Sequence, residues 1–484
     1  MSRRRLATLL AVGLAGTGVP VAVTAVASSP SCGSQVAPPA LSFNQRVFID
    51  QVRPGGEPVS VVAQDGSISV SAHGGTTHLY KDPTALANGA GDLASTYENQ
   101  TLNWRSTDGG KTWKYIGLGG QQFGPHTATS TGFSDPDYAI DAGGRIYNTE
   151  IDLANVAVFS SNDDGQTYSR GEAEVTSGDR PWLTAGRKDE AYLYVNTGQQ
   201  IFRTADGGLT WTLQSEGNSS GPDAKMYIDP LNPNGLIGPH NPSGVAISKD
   251  QGKTWKAYDG PKLGPTVDFF GAVTVDRAGN VYRAAAGGYG GPSDKKVGDG
   301  TVMFNSFNRK TNSWGEPVQI PAPTGDMLWP WVVAGDDGRV AVAWLERFPN
   351  HPDKFDMMVA ATTNAHGSVV TCADGRKHHV PPQWTVTDAS HGAVHKGDIC
   401  LNGTACNAST DFPQGDRRLG DFYTVNFDKD GRIFVVGGAT VHAGETVKPI
   451  SNPIFISAKS GPRLIAKPMR TRKTRPSCTV NPFC

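Results

Sequence analysis

The chain has 484 residues, of which 59 are glycine and only 18% are charged. This composition disfavours a charged helical bundle or a coiled coil and favours turn-rich β structure. The 44 basic and 45 acidic residues nearly cancel. Because nucleic-acid binding requires a basic surface, this balance argues against a nucleic-acid partner.

The N-terminus has the three parts of an export signal. Arg3, Arg4 and Arg5 precede an apolar run, and the small residues Ala25 and Ala27 end it. We expect a signal peptide over residues 1–27, cleaved near Ala27, and a secreted mature chain. The start also resembles a twin-arginine signal, so both export routes stay open. We expect no membrane span after it.

Residues 28–40 are rich in serine and proline and are predicted to form an extended linker. After this linker, one eight-residue pattern, S/T-x-D-x-G-x-T-W/Y, occurs four times, at 106–113, 161–168, 204–211 and 248–255. In each copy the aspartate can accept hydrogen bonds from turn N–H groups, the glycine permits a positive φ, and the aromatic residue resumes a strand. The pattern therefore predicts a repeated β-hairpin. Its defining residues are Asp108 and Trp113, Asp163 and Tyr168, Asp206 and Trp211, and Asp250 and Trp255.

These copies resemble the Asp-box, or bacterial neuraminidase repeat, of sialidases and related β-propellers. In that superfamily the box is structural, so the resemblance implies a fold and leaves the chemistry open. A second, longer repeat supports the same fold, because seven pairs of apolar strands joined by polar turns follow one another along the chain. The first strands of these pairs lie at 59–63, 138–141, 182–185, 226–229, 272–276, 331–334 and 423–427.

We therefore predict an all-β protein with a single β-propeller over residues 41–462, built from seven four-stranded blades, with an insertion at about 350–420. Six blades are the alternative, since sialidases have six. The seventh unit lacks a fourth strand, and residues 46–50 are predicted to supply it by pairing with the strand at Ile454. Residues 463–484 form a basic, cysteine-containing tail.

In such a meander the Asp-boxes lie on one face of the ring, and the connections between blades lie on the other, around the channel mouth. Glu57, Asp135, Asp179 and Asp223 stand at about the same offset before the first strand of their units. We interpret them as caps on backbone N–H groups or as an acidic funnel for a cation or a polyhydroxylated ligand. Arg180, Tyr289 and Trp329 are predicted on the same face, and the two aromatic rings could stack on a sugar or pack between blades.

The resemblance to sialidases implies three arginines that grip a substrate carboxylate, a tyrosine nucleophile assisted by a glutamate, and an aspartate as acid or base. Arg283, Arg347 and Arg417 come from different units and are the candidate grip, with Asp135 or Asp179 as the candidate acid. The Arg-Ile-Pro signature of sialidases is absent, and Arg180-Pro181 matches it only in part. Arg417 and Arg418 could instead form ion pairs with Asp416 and Asp421.

The six cysteines of an exported chain suggest disulfides. Cys400 is predicted to pair with Cys406 and Cys478 with Cys484, with Cys32 and Cys372 left over. Six of the eleven histidines fall between His351 and His395, but their spacing matches no familiar metal motif, so we predict no metal and no cofactor.

Two functional classes remain open on the sequence alone. One is a monomeric binding or scaffolding propeller that presents a surface for a glycan or a protein. The alternative is an exo-acting glycoside hydrolase, a sialidase or another glycosidase, with its site at the channel mouth.

Overall fold

Seven antiparallel β-sheets surround a central channel, and this ring confirms the predicted seven-bladed β-propeller. The computed structural model describes residues 37–73, 101–118, 135–152, 155–170, 175–240, 243–264, 272–372, 375–401, 415–442 and 446–466. The predicted signal peptide, most of the linker and most of the C-terminal tail lie outside these residues and stay predictions. No helix among the described residues is long and apolar enough to cross a membrane.

We letter the strands of each blade a to d from the channel outward. Blade 1 contains Gly56–Val62, Ile68–His73, Thr101–Ser106 and Lys114–Leu118. Blade 2 contains Asp137–Ile140, Ile146–Asp152, Asn155–Ser161, and Ser169–Arg170 with Thr176–Ser177 as a divided strand d. Blade 3 contains Trp182–Ala185, Ala191–Val195, Gln200–Thr204 and Thr212–Ser215, with a 3-10 turn at Thr197–Gln199. Blade 4 contains Tyr227–Ile228, Leu236–His240, Gly244–Ser248 and Lys256–Tyr258.

The last three blades depart more from the regular pattern. Blade 5 contains Val273–Val275, Val281–Ala286, Val302–Asn308, and Ser313–Trp314 with Val318–Gln319 as strand d. Blade 6 contains Asp326–Ala334, Val340–Phe348, His351–Thr362, and Thr385–Asp388 with His395–Lys396 as strand d. A separate hairpin, Ser368–Thr371 with Lys377–Val380, is inserted before that strand. Blade 7 contains Thr424–Phe427, Ile433–Val441 and Val447–Ser460.

The N-terminal segment supplies strand d of blade 7, as the sequence predicted. Val47 pairs with Phe455 and Phe48 with Ile454, and the preceding strand Ser42–Phe43 continues along the same partner. Leu41 and Phe43 are buried in the core beside blades 6 and 7. Closure from both ends of the chain removes the exposed edge that an open ring would present.

The four Asp-boxes form nearly identical turns. In the first copy, Asp108 Oδ1 accepts the N–H of Thr112 at 3.0 Å and Asp108 Oδ2 accepts the Thr112 hydroxyl at 2.6 Å. The N–H of Gly110 donates to Ser106 Oγ at 2.9 Å. The same bonds recur in the other copies at 2.6–3.0 Å. The box is therefore a self-contained turn whose donors are satisfied locally.

Each box also contacts the preceding blade. Gly110 has a φ of +86°, and a Cβ there would lie 2.1 Å from the ring of Phe455 in blade 7, so only glycine fits. Trp113 packs on the same phenylalanine, with ring centroids 5.4 Å apart. The indole N–H groups of Trp113 and Trp255 both donate to the box glycine's carbonyl at 3.1 Å. The repeated turn thus helps to join neighbouring blades.

Three aromatic rings meet across the channel near the face that carries the interblade connections, which we call the mouth face. Trp182, Trp331 and Phe422 come from blades 3, 6 and 7, and their ring centroids lie 5.4–6.0 Å apart. Since blades 3 and 6 lie on opposite sides of a seven-bladed ring, these rings meet across the channel. They form an aromatic plug at the start of the a strands.

Candidate functional site

Four residues on the mouth face share a strained backbone conformation. Glu57, Asp135, Arg180 and Trp329 have φ values between +50° and +54°, and each precedes a proline. Both features disfavour this conformation, because a side chain resists positive φ and a following proline favours extended backbone. Strain of this kind persists only where the surrounding structure holds it, and it concentrates at ligand sites. Arg180, and not its neighbour Asp179, occupies the position equivalent to Glu57 and Asp135.

Carboxylates connect these positions from blade to blade. Glu57 Oε2 accepts the N–H of Asp135 at 3.2 Å, and Asp135 Oδ2 accepts the N–H of Arg180 at 3.2 Å. Glu57 Oε1 also accepts the N–H of Asp421 from blade 7 at 2.8 Å. The capping role predicted from the sequence is therefore present for Glu57 and Asp135, but each caps N–H groups of a neighbouring blade.

The pKa values of Glu57 and Asp135 are shifted in opposite directions. Both side chains are buried and hydrogen-bonded to each other. Burial and the adjacent Glu57 carboxylate raise the pKa of Asp135 well above its ordinary value. For Glu57, burial acts in the same direction, but His73 and Arg417 outweigh it and lower the pKa. These opposite shifts favour a proton on Asp135 over a proton on Glu57.

Arg417 belongs to this cluster through two carboxylates. Its guanidinium donates two hydrogen bonds to Asp421 and lies 3.7 Å from Glu57 Oε1. The neighbouring Arg418 pairs with Asp416 at 2.5 Å. These contacts confirm the ion-pair interpretation of this segment.

Asp179 and Arg180 are the exposed members of the cluster. Their side chains are 58% and 39% exposed, and Asp179 Oδ2 lies 3.8 Å from Arg180 Nε. A solute that approaches the cluster from solvent therefore contacts these two residues before the buried pair. We call Glu57, His73, Asp135, Asp179, Arg180, Arg417 and Asp421 the mouth cluster.

Asp223 and Arg283 lie on the blade 4 and 5 side of the mouth. Arg283 is buried, and its Nη1 donates to Gly244 O at 3.4 Å. Burial lowers the pKa of Arg283 to about 10, and Asp223 opposes that shift. The phenol of Tyr194 has a pKa raised by burial and by Asp223, and lowered in part by Arg180. Tyr194 thus lies between this pair and the mouth cluster.

Arg347, Tyr289 and Trp329 form a different group in blades 5 and 6. Arg347 Nε donates to Asp326 Oδ2 at 2.8 Å, and its guanidinium stacks 4.6 Å over the Tyr289 ring. The Tyr289 hydroxyl donates to Ile399 O at 2.7 Å. Tyr289 and Trp329 are 8% and 4% exposed, so both rings are packed in this structure. Of the three candidate arginines, Arg347 and Arg417 pair with different carboxylates, Asp326 and Asp421, and Asp223 acts on the pKa of Arg283.

One group of possible metal ligands exists among the described residues, on the Asp-box face. Asp276, Asp337 and His366 offer ligand atoms within 4.8 Å of one another. Asp276 Oδ2 already accepts the Tyr282 hydroxyl at 2.6 Å and the N–H of Gly338 at 3.2 Å. Hydrogen bonds therefore account for this group without an ion.

The sequence interpretation missed His73, Tyr194 and the aromatic plug. His73 ends strand b of blade 1, and its Nε2 lies 3.4 Å from Glu57 Oε2. Its position at the end of a strand that leads toward the mouth face was the available signal. The plug could not be inferred from spacing, because its members come from blades that are distant in sequence.

Cys372 and Cys400 are buried, whereas Cys406, Cys478 and Cys484 lie outside the described residues. The disulfide pairings therefore remain predictions.

Comparison with known proteins gives one curated relative at low identity. The chain is 27% identical over 414 residues to a sialidase of Micromonospora viridifaciens, and the match covers 77% of this chain and 53% of that protein. The chain thus spans about half the length of this relative. No family model matches it.

Solved propellers align along most of the chain. A GH74 xyloglucanase from Xanthomonas campestris aligns with a TM-score of 0.45 and 11% identity, over 84% of this chain and 55% of that one. An α-L-arabinanase from Penicillium chrysogenum aligns with a TM-score of 0.40 and 13% identity, over 88% and 99%. The chain is a seven-bladed β-propeller with Asp-box turns, and its sequence is similar to that of a sialidase at 27% identity.

Proposed function

We propose that the chain is a secreted glycan-binding propeller whose ligand surface is the mouth cluster. The observation that carries this proposal is the exposed Asp179–Arg180 pair above the buried Asp135–Glu57 pair. Paired charges and hydrogen-bonding groups at one rigid rim suit a ligand with many hydroxyl groups. The sialidase relative supports a carbohydrate over a protein as the ligand.

The charges favour a neutral glycan over a sialylated one. A carboxylate ligand requires arginines that can turn toward it. Arg417 is held by Asp421, and Arg347 by Asp326. Breaking such buried pairs to grip a substrate would leave carboxylates without partners, which is costly. We therefore expect hydroxyl groups of the ligand to contact Asp179 and Arg180.

A glycan array tests this function. Purified full-length chain should be retained on neutral glycans, and Arg180→Ala should weaken retention by about 10-fold, which corresponds to loss of one charged hydrogen bond. Lys253→Ala is the matched control, since it removes an exposed cation from an Asp-box turn on the opposite face. The proposal would be contradicted if the chain were retained on no glycan or on sialylated glycans alone. Equal loss of retention in both variants would also contradict it.

Hydrolysis is the second candidate, and the raised pKa of Asp135 favours it. A carboxylic acid kept protonated near neutral pH can serve as a general acid. Glu57 is hydrogen-bonded to Asp135 and is too close to flank a glycosidic bond, so Asp179 or Asp421 would be the second carboxylate. Turnover of a chromogenic glycoside from a panel would establish this activity if Asp135→Asn abolishes the turnover and Lys253→Ala preserves it. Absence of turnover together with array retention would leave binding alone.

A further inference from the structure

Three segments around blade 3 meet beside Asp179 and Arg180 on the mouth face. They are part of the connection into the blade, 176–178, the turn between strands b and c, 196–200, and part of the connection out of the blade, 217–220. Every residue in them is exposed or half-buried. We call these three segments the blade 3 platform.

Backbone hydrogen bonds hold the platform together. The N–H of Asn196 donates to Asp179 O at 2.9 Å, and the N–H of Gly217 donates to Gly198 O at 2.8 Å, so the turn is joined to both connections. A Cβ at Gly178 would lie 2.4 Å from a valine methyl group of strand b, so the glycine allows the first connection to lie directly against the blade. The platform is therefore a fixed continuation of the surface on which Asp179 lies.

The platform presents uncharged polar side chains to solvent. It contains amides, hydroxyls and glycines and no charged residue, although exposed surfaces are usually rich in charged side chains. The side chains of Asn196, Thr197 and Gln199 form no hydrogen bond within the part of the chain that the structure describes. Each amide offers donors and an acceptor, which match the neighbouring hydroxyl groups of a sugar ring. Asn, Ser and Gly are also residues that supply adaptable hydrogen bonds at binding surfaces.

A ligand at the mouth cluster has open surface on the outer side of Arg180. Toward the ring axis, Glu57, Asp135 and Trp182 are at most 4% exposed. In the outward direction, neighbouring strands lie about 4.8 Å apart, so the b–c turn is one to two strand spacings, roughly 5–10 Å, from the a strand. This span accommodates one further sugar ring beyond a ring that contacts Asp179 and Arg180.

We infer that the ligand of the mouth cluster is a neutral oligosaccharide of at least two sugar units, which runs outward from Asp179 and Arg180 over the blade 3 platform. One ring contacts Asp179 and Arg180, and the next ring forms hydrogen bonds with Asn196, Thr197 and Gln199. This inference rests on the glycan-binding function proposed above and adds the length and the direction of the ligand.

Calorimetric titration of the full-length chain tests this inference, with the mono-, di- and trisaccharide of a neutral glycan that the array retains. We expect the disaccharide to bind at least about 10-fold more tightly than the monosaccharide, because the second ring adds hydrogen bonds. Arg180→Ala should weaken the binding of all three ligands, since each of them places a ring at Arg180.

Gln199→Gly separates the second ring from the first. Gln199 has a φ of +48°, which glycine adopts without strain, so the variant removes the amide and keeps the turn. We expect it to weaken disaccharide binding by about 5-fold, the loss of one hydrogen bond, and to leave monosaccharide binding unchanged. Asn312→Gly is the matched control, because Asn312 is exposed and has a φ of +49° in the c–d turn of blade 5 on the Asp-box face.

The outcomes distinguish the inference from the proposed function. Equal affinity for the mono- and the disaccharide would overturn the inference and leave glycan binding at the mouth cluster intact. Equal disaccharide affinity in the wild type and in Gln199→Gly would also overturn it, because the second ring would then lie elsewhere on the mouth face. Retention of the chain on no glycan would overturn both the inference and the proposed function.

Discussion

At the scale of single residues, the mouth depends on two adjacent carboxyl groups whose pKa values are shifted in opposite directions. Glu57 is surrounded by His73, Arg417 and two backbone N–H groups, which stabilise its charge. Asp135 has a charged neighbour of the same sign, so its neutral form is preferred. The sequence predicted both carboxylates at the mouth, but it could not predict the directions of their pKa shifts, which depend on His73 of blade 1 and Arg417 of blade 7.

A matched pair of amide substitutions tests this assignment. Asp135→Asn resembles the protonated acid and can still donate to Glu57, so we expect it to change the free energy of unfolding by less than about 1 kcal/mol. Glu57→Gln removes a buried charge that faces Arg417, so we expect a loss of about 3 kcal/mol. Urea unfolding at neutral pH measures both. Equal losses, or a larger loss for Asp135→Asn, would show that the proton resides elsewhere.

Glu346 in blade 6 gives the protein a pH-dependent stability. Burial, together with Asp356 and Asp326, raises its pKa to about 8 from an ordinary 4.5. The folded state therefore keeps a proton that the unfolded state has released, and the free energy of unfolding falls as the pH rises from about 4.5 to about 8. Glu346→Gln cannot ionise, so its melting temperature should fall less over this window and exceed that of the wild type at pH 8.

The exposed Glu316→Gln is the control for this titration. It should follow the wild-type dependence of melting temperature on pH. If Glu346→Gln also follows it, the Glu346 carboxyl ionises in the folded state at an ordinary pH.

At the scale of secondary-structure elements, local patterns were predictable and long-range contacts were not. The Asp-box turns were predicted because Asp108, Gly110 and Trp113 act within eight residues. The pairing of Val47 with Phe455 was predicted because blade 7 lacked a strand and residues 46–50 had no other partner. The blade-to-blade caps and the aromatic plug depend on the curvature of the ring, which no local pattern specifies.

The closing strand should control stability and association. Removal of residues 1–49 takes away Leu41, Phe43 and Ile49, which are at most 7% exposed. Burial of three such side chains is worth about 6 kcal/mol, so we expect the melting temperature to fall by about 10 °C or more. The strand Val447–Ser460 would also become an edge, and we expect concentration-dependent association.

Removal of residues 1–31 alone is the control for this truncation, because it keeps Cys32. This shorter deletion retains every strand of blade 7, so its melting temperature and its sedimentation should match those of the mature chain. Equal behaviour of the two truncated proteins would contradict closure by the N-terminal strand.

At the scale of the whole molecule, the ring separates three regions with different tasks. The Asp-box face contains self-satisfied turns that join blades, as in the contact of Gly110 with Phe455. The mouth face contains strained, charged positions, and the plug lies between it and the rest of the channel. The sequence predicted this division of faces from the meander, but it did not predict that Arg347 and Arg417 pair with Asp326 and Asp421.

Hydrogen–deuterium exchange of the full-length chain, with and without a neutral glycan retained on the array, tests the central claim most directly. We expect the glycan to slow exchange in peptides that cover residues 175–182 and 415–423, which contain Asp179, Arg180, Arg417 and Asp421. The Asp-box peptides 106–113 and 204–211 should exchange at the same rate in both states. Protection of the Asp-box peptides without protection at the mouth would contradict the claim that the mouth cluster is the ligand surface.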